Sequence, residues 1–351
     1  MSARAYSTPT QRPTPGRQRG LTLVELMVAL LLGLVVTGVV ISVFLASRGS
    51  FKTNMAVGEV QDGSRIAFEL LARDARQAGL TGCGNGASVA NVLKNGTGNG
   101  GAAWWANWDN AVHGYEASAD DPAVTEGTAN TQRDASTDSV QLIGIAEGGL
   151  SVQSATTSSL TLWSAANDWS NGDALVICDP DHAALVQLGN GAGTTSLSWS
   201  ASGSSPGNCT ANLGFPTAPP APPATSACSA DPYTFRANAM VSRLKAADWY
   251  VGVNPSGGRS LYRRTLLNSG GNLSETAQEV VRNVTNMQIL YHENGKATYV
   301  NAPYVANWNA VDAMQITLTL QSTTRQSVTD TNAKPLTRNV TTVIALRNRV
   351  S

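Results

Sequence analysis

The sequence has few charged residues and no excess of either sign. Its 351 residues include 24 Lys and Arg and 24 Asp and Glu, so charged side chains make up only 14% of the chain. A nucleic-acid-binding protein concentrates Lys and Arg into a basic surface, and this composition predicts none. The low charge and the 33 glycines suit an extracellular, loop-rich protein better than a cytosolic enzyme.

Histidines and catalytic motifs are also scarce. His113, His182 and His292 are far apart in the sequence, and the chain has no H-E-x-x-H motif or phosphate-binding loop. The segment CDPDH (178–182) could hold a cation or supply an acid and a base, but Asp and Pro also build turns. We expect no catalytic residue, no metal and no cofactor.

One long apolar run lacks charge altogether. Residues 26–47 carry no charged side chain, and at about 1.5 Å per residue such a helix crosses a hydrocarbon core of about 30 Å. Residues 1–20 contain four arginines and no acid, which places the N-terminus in the cytoplasm and the remainder across the membrane; the arginines are Arg4, Arg12, Arg17 and Arg19. A secretory signal peptide would have a shorter apolar region, followed by a small-residue cleavage site.

Glu25 is the only acid at the start of this run, and it has two interpretations. Thr22 and Glu25 have the T-x-x-E spacing of a capping box, in which each side chain binds a free backbone N–H. Alternatively, a carboxylate at membrane depth needs a cationic partner. Cleavage between Gly20 and Leu21 would expose an α-amine four residues before Glu25. A helix start cannot easily fold its own amine back, so a neighbouring subunit's amine is the better partner.

The sequence RGLTLVELMVALLLGLVV (19–36) resembles the type III signal of type IV prepilins. The resemblance implies that prepilin peptidase cleaves after Gly20 and methylates Leu21. It also implies that Glu25 is needed for methylation and for docking into the filament. In this family the mature chain usually begins with phenylalanine, whereas this sequence has Leu21 at that position.

Further segments are similar, in order, to minor pilins of the PilW family. They are LLARDARQAGLTGCG (70–84), GDALVICDPDHAALVQL (172–188), SLYRR (260–264), VTNMQILYHENGKATYV (284–300), WNAVDAMQITLTLQS (308–322) and TTVIALRNR (341–349). The resemblance implies a minor pilin that primes type IV pilus assembly at the pilus tip and supports twitching motility and adhesion. It would contact other minor pilins and the major pilin through its N-terminal helix, and also a tip adhesin. It would reside in the inner membrane with a periplasmic head, and then on the pilus. The alternatives are a type II secretion pseudopilin and a membrane-anchored extracytoplasmic binding domain.

The periodicity changes once along the chain. Apolar residues recur at spacings of three and four up to about Ala78, first Phe51 and Met55, then Ile66, Leu70 and the series Ala67, Leu71, Ala75 and Ala78, which predicts an amphipathic helix ending at Gly79. From Asp138 the period becomes two, as in MQITLTLQ (314–321), which predicts antiparallel strands. The further strand candidates are SVQLIGIA, SLTLWS, DALVIC, AALVQL, AMVSRL, WYVGV, SLYRR, MQILYH, ATYV and VTTVIAL. We therefore expect an α+β lollipop. Residues 1–20 form the leader, 21–79 a long helix that spans the membrane over 26–47, and 80–351 a large antiparallel β-rich head with long loops.

Two long insertions and four cysteines complete the pattern. Residues 85–137 are too long for an ordinary loop. Their Trp104, Trp105 and Trp108 predict a local hydrophobic cluster, or alternatively an exposed contact for a partner subunit or a sugar. The second insertion (200–230) is rich in proline. An exported chain with an even cysteine count predicts two disulfides, and four cysteines allow three connectivities. We favour Cys209 with Cys228 and Cys83 with Cys178 over a zinc site, since no C-x-x-C spacing is present.

Overall fold

The computed structural model describes residues 20, 22–84, 89–96, 99, 101–203, 205–215, 228, 230–325 and 334–346. Its first element is α1 (Leu23–Gln77), a continuous helix of 55 residues, which is about 80 Å long at 1.5 Å per residue. Thr22 is its N-cap, and Ala78 ends it in an extended conformation. Gly79 follows with a φ of 74°, a left-handed conformation that glycine adopts without strain. The predicted end of the helix is confirmed.

Fifteen strands follow α1 in the described part of the chain. They are β1 (Val89–Asn91), β2 (Val112–Tyr115), β3 (Ser139–Ile145), β4 (Leu150–Ala155), β5 (Ser159–Leu162), β6 (Ala174–Cys178), β7 (Ala183–Gln187), β8 (Ser196–Ser198), β9 (Met240–Val253), β10 (Arg259–Ser269), β11 (Asn272–Arg282), β12 (Val284–Glu293), β13 (Tyr299–Val300), β14 (Val311–Arg325) and β15 (Pro335–Ala345). Short 3₁₀ helices lie at Trp104–Ala106, Trp108–Asn110, Ala302–Tyr304 and Trp308–Ala310.

The strands form two sheets, and β9 is the centre of the larger one. The larger sheet has 11 strands, in which β9 pairs with β6 and β4 through its first residues and with β3 and β10 along the rest. The smaller sheet has the order β13-β12-β14-β15. All pairings between these strands are antiparallel except the one between β1 and β7. The α+β lollipop with a large antiparallel head is confirmed.

The second half of α1 packs onto the head. Its buried side chains are mostly small, and they share one core with β14, β15, β9 and β3. Ala67, Leu71 and Ala75 are fully buried there, as the helical pattern predicts. Phe51, Met55, Ile66 and Leu70, from the same apolar pattern, are exposed instead. The pattern therefore mixes two stripes, and only one of them faces the head.

Several strands differ from the sequence-based expectation. AMVSRL and WYVGV, predicted as separate strands, form the single 14-residue β9. β1, β2, β4, β8 and β11 were not predicted. β11 is the longest of these, and it pairs only with β10. Its residues alternate between exposed and partly buried positions, but the sequence NLSETAQEVVR does not alternate between polar and apolar residues, so the pattern that predicts a half-buried strand is missing.

The insertion at 85–137 covers the face of the large sheet that turns away from α1. Trp104 and Trp105 are each 3% exposed and pack in a cluster that includes Ile143 and Val176. Trp108 packs against the same cluster and is partly buried. The hydrophobic-cluster interpretation of these tryptophans is confirmed, and this part of the insertion contributes to the core of the head.

Candidate functional site

The N-terminal segment of the helix contains the residues that the sequence singles out. Gly20 is exposed, and a Cβ placed on it would meet no atom within 4 Å. Leu21 lies outside the described residues. Cleavage between Gly20 and Leu21, and methylation of Leu21, therefore stay predictions.

Half of the predicted capping box forms at the start of α1. Thr22 Oγ1 accepts a hydrogen bond from the backbone N–H of Glu25 at 3.3 Å, which satisfies one of the free donors at a helix start. No described residue bonds to the Glu25 carboxylate, which is exposed. The backbone N–H of Glu25 therefore takes part in the helix cap, while its carboxylate has no partner within the described part of the chain.

The first half of α1 has no contact with the head. One 18-residue window has a mean hydropathy of 2.8 and none of its residues is buried, so α1 is long and apolar enough to cross a membrane. Large apolar side chains are exposed along its whole length, among them Leu30, Leu34 and Phe44. Such a surface is unstable in water. It requires lipid or the apolar helices of other subunits around it.

The exposed apolar side chains continue past the membrane-spanning part. Phe51 is 65% exposed, and Met55, Ile66 and Leu70 are exposed as well. At 100° per residue, Phe44, Phe51, Met55 and Ile66 lie on one side of the helix, roughly opposite the residues that face the head. We call this set the outer stripe of α1. It gives the helix an apolar face available to another helix.

A buried acid at the other end of α1 binds the head. Asp74 is 5% exposed; its Oδ2 accepts hydrogen bonds from Trp249 Nε1 at 3.0 Å and Arg263 Nε at 2.6 Å. Lys245 Nζ lies 3.0 Å from Asp74 Oδ1. Negative charge is unfavourable near a helix C-terminus, so the role of Asp74 is to bind these cations of β9 and β10.

Next to Asp74 the helix end packs directly on β3. The backbone N–H of Gly79 donates to Ile143 O at 2.8 Å, and Ala78 forms a bridge with Gly144. A Cβ on Gly144 would lie 2.0 Å from Gln77 O. Glycine at 144 thus permits the helix end to touch the sheet. Together with Asp74, these contacts define the helix–head junction.

The candidate catalytic segment CDPDH is a turn between β6 and β7. Asp179 Oδ1 accepts from the backbone N–H groups of Asp181 and His182 at 3.1 and 3.0 Å, and the hydroxyl of Tyr233 also donates to Asp179. His182 packs against Tyr233, Phe215 and Phe235, and burial lowers its pKa. The turn interpretation accounts for all of these contacts.

The other two histidines lie in different surroundings. His113 packs against Tyr115 and Trp308, where burial lowers its pKa to about 4. His292 Nδ1 is 2.6 Å from Asp312 Oδ1, and this hydrogen bond raises the pKa of His292. Within the described ranges, no group of three or more His, Cys, Asp and Glu side chains is placed to hold a metal.

The four cysteines form two disulfides, Cys83 with Cys178 and Cys209 with Cys228. This is the connectivity that we favoured, and it contradicts the zinc alternative because the thiolates are no longer available as ligands. The first disulfide joins the segment after α1 to β6. The second spans a separation of 19 residues, most of which lie outside the described part of the chain.

The sequence did not point to the helix–head junction. Asp74 follows Arg73 in a helix rich in charged residues, and nothing in the pattern separates it from its exposed neighbours. A sign was present in its position, since it shares a helical face with Ala67, Leu71 and Ala78 and a buried acid requires a partner. Its cations come from residues about 170 and 190 positions later, which only the fold brings together.

Two family models match the chain. Residues 248–349 match the family described as type IV pilus-assembly protein W, a range that begins within β9 and includes the whole smaller sheet. Residues 15–41 match the prokaryotic N-terminal methylation motif, which includes Gly20, Leu21 and Glu25. The comparison with curated proteins finds no match.

Proposed function

These two matches support a PilW-family type IV pilin, and from this premise we propose that the chain is a minor pilin that primes pilus assembly. The observation that carries the proposal is the coincidence of the methylation motif with the exposed half of α1. The motif ends at residue 41, within the part of the helix that touches nothing in the head. In this family such a helix anchors the chain in the membrane, with the head outside the cytoplasm, before assembly into the pilus.

We propose that assembly depends on one charge pair between subunits. Prepilin peptidase removes residues 1–20, and the new α-amine of Leu21 on one subunit neutralises Glu25 on the next. Two features support this step. Glu25 has no partner among the described residues, and pairing removes the large cost of an isolated carboxylate in an apolar environment. The outer stripe of α1 would then pack against neighbouring helices.

The remaining parts of the proposal rest on the resemblance to the family and on the size of the head. Residues 21–79 are the assembly helix, with 26–47 in the membrane before assembly, and residues 80–351 are the head. The partners are other minor pilins, the major pilin and a tip adhesin. A head of this size is poorly suited to repetition along a thin filament, which supports a place at the tip and a role in twitching motility and adhesion. We propose no catalytic role.

Replacement of Gly20 tests the processing step. In Gly20→Ile, a large β-branched residue occupies the last leader position, so the peptidase should leave full-length protein. Gly16→Ile makes the same change four residues earlier and should be processed normally. Intact mass of the purified membrane protein distinguishes the outcomes. A Gly20→Ile chain that begins at Leu21 would refute the proposed cleavage site.

A chromosomal deletion tests the biological role. Loss of surface pili and twitching, restored by the wild-type gene and not by Gly20→Ile, is the expected result. Normal twitching together with a defect in protein secretion would instead identify a type II secretion pseudopilin.

Crosslinking tests the helix contacts, with cysteines introduced at Phe51 of this chain and at the corresponding position of neighbouring subunits. A chain that gives no crosslink to any pilin would be a solitary anchored domain.

A further inference from the structure

Two acids are buried together in the head, far from the helix. Asp248 lies on β9 and Asp121 in the insertion, on the face of the large sheet that turns away from α1. Asp248 is completely buried and Asp121 is 7% exposed. Gln141 of β3 is directly opposite Asp248 in the strand register, and its Nε2 donates to Asp121 Oδ1 at 2.8 Å. The insertion and the sheet thus meet at Gln141, and the two carboxyl groups lie close enough there for the charge of Asp121 to act on Asp248.

The two acids differ in their hydrogen-bond donors. Asp121 accepts from the side chain of Gln141, from the backbone N–H of Ala123 at 2.8 Å and from the hydroxyl of Ser139. Neither carboxylate oxygen of Asp248 has a hydrogen-bond partner among the described residues. Three donors therefore stabilise negative charge on Asp121, and none stabilises it on Asp248.

The nearby cations are already engaged. Arg133 Nη2 lies 3.2 Å from Glu126 Oε1, and its other donors bond to backbone carbonyls and to Ser139. Arg133 Nη1 is 4.0 Å from Asp121 Oδ2. Arg264, the neighbour of Asp248 on β10, donates to Glu275 Oε2 at 2.8 Å. No hydrogen bond or ion pair from a described cation reaches Asp248.

We infer that Asp248 is a neutral carboxylic acid in the folded head and donates its proton to a hydrogen bond with the Asp121 carboxylate. Two like charges at this depth cannot both persist, so the pair binds one proton. The donor arrangement places that proton on Asp248. The insertion is thereby joined to β9 through a shared proton, a contact that needs no additional cation.

The electrostatic surroundings agree with this assignment. Burial, and then the charge of Asp121, raises the pKa of Asp248 well above its usual range, while Arg133 and Arg264 oppose the shift. Burial also raises the pKa of Asp121, but its donors counteract this effect.

Other titratable groups also face this region. Asp138 accepts from the backbone N–H groups of Ala117 and Ile289, and burial raises its pKa. The tyrosines around the pair stay neutral because burial raises the pKa of each one; they are Tyr115, Tyr250 and Tyr291. Glu126 and Glu275 also lie beside the pair, and each is paired with an arginine. Glu116 acts on Asp138 and accepts a hydrogen bond from Asn301.

The inference has a definite pH dependence. An acid whose pKa is higher in the folded than in the unfolded state takes up a proton on folding. Below about pH 3.9, the ordinary pKa of Asp in an unfolded chain, the carboxyl group is protonated in both states and its titration does not change the stability. As the pH rises from there toward the folded pKa, the folding equilibrium constant should fall by about tenfold per pH unit for this one group. Asp248→Asn removes the titration and retains an N–H donor for Asp121.

The experiment compares pH profiles of the full-length protein in detergent. Unfolding by guanidinium is followed by tryptophan fluorescence, which reports on the head because all 8 tryptophans lie between residues 104 and 308. As the pH rises above the unfolded-state pKa, the ratio of the wild-type to the Asp248→Asn folding constant should fall, at about tenfold per unit until the folded-state pKa is approached. Asp120→Asn, at an exposed position of the insertion, should follow the wild type. Parallel profiles for wild type and Asp248→Asn would overturn the inference.

Infrared spectroscopy provides a test that does not depend on the stability of a variant. The wild-type protein at neutral pH should show the carbonyl band of a protonated carboxylic acid. Asp120→Asn should retain this band and Asp248→Asn should lose it. If Asp248→Asn does not fold, Asp121→Asn takes its place, since removal of the neighbouring charge lowers the pKa of Asp248 and should shift loss of the band to lower pH. Absence of the band in wild type at neutral pH would overturn the inference.

Discussion

Each end of α1 carries an acid, and the two carboxylates have opposite surroundings. At the C-terminal end, the carboxylate of Asp74 is buried and accepts from Trp249 and Arg263, with Lys245 beside it. At the N-terminal end, the carboxylate of Glu25 is exposed and no described residue bonds to it. The two halves of the helix differ in packing as well, since only the second half has buried side chains. One half is completed by its own chain, and the other requires lipid or other subunits.

The comparison predicts that removal of Glu25 affects assembly, whereas removal of Asp74 affects stability. Glu25→Gln removes the charge and retains the shape, so cleaved protein should accumulate and assembled pili should be lost, while the stability of the head is unchanged. Glu69→Gln, an exposed acid on the same helix, should support normal piliation. Counting pili by electron microscopy, with mass analysis of the processed chain, checks both. Normal pili in Glu25→Gln would remove the basis of the proposed charge pair.

Loss of Asp74 should act on stability instead. Asp74→Ala leaves Lys245 and Arg263 without their acid, and both side chains are about one quarter exposed, so water compensates in part. We expect a loss of about 2 to 3 kcal/mol in the free energy of unfolding, measured by denaturant titration with tryptophan fluorescence. The free cations should also make the variant less sensitive to salt than the wild type. A change below about 0.5 kcal/mol, typical of exposed sites, would show that the junction does not depend on this acid.

The contact between the helix end and β3 should be nearly as sensitive. Gly144→Ala places a methyl group against the backbone oxygen of Gln77, so the helix end must move. Overpacking of this kind costs about 1 to 3 kcal/mol. Gly84→Ala is the matched control, because a Cβ there meets no atom within 4 Å. Equal stability of the two variants would contradict the tight junction.

The smallest predicted change in stability concerns two glycines within α1. A Cβ on Gly58 meets nothing within 4 Å, whereas one on Gly63 lies 3.2 Å from Val281 and 3.3 Å from Leu320. Gly58→Ala should stabilise the helix by about 0.5 to 1 kcal/mol, and at Gly63 the crowding should cancel that gain. Thermal unfolding monitored by circular dichroism measures both. A gain at Gly63 equal to that at Gly58 would show that the helix is free to move away from the head.

These glycines also show where reading the sequence fell short. Both lie within the same amphipathic helical pattern, and the spacing of their neighbours does not distinguish them. The helix is continuous through both, and only Gly58 has open space beside it. The difference arises from Val281 and Leu320, which are more than 200 residues away in the sequence. Local spacing cannot reveal which face of a helix a distant sheet will cover.

The outer stripe illustrates the same limit. Phe51 and Met55 fit an apolar helical pattern as well as Leu71 and Ala75 do, yet the head buries only the second pair. Large side chains would keep the helix away from the sheet, and the buried positions are mostly Ala, which allows close approach. The prediction of an amphipathic helix was therefore sound, but its apolar residues serve two surfaces.

The sequence by itself determined the features that depend on neighbours along the chain. These are the apolar run and its length, the Thr22 cap, the helix end at Gly79 and the alternation of strands such as β14, because hydrophobic periodicity and capping act over a few residues. The tertiary structure alone decided the cations around Asp74, the need for glycine at 144 and the pairing of Asp121 with Asp248. Each of these depends on groups far apart in sequence, whose charges and atomic volumes interact only after the sheet has brought them within a few ångströms.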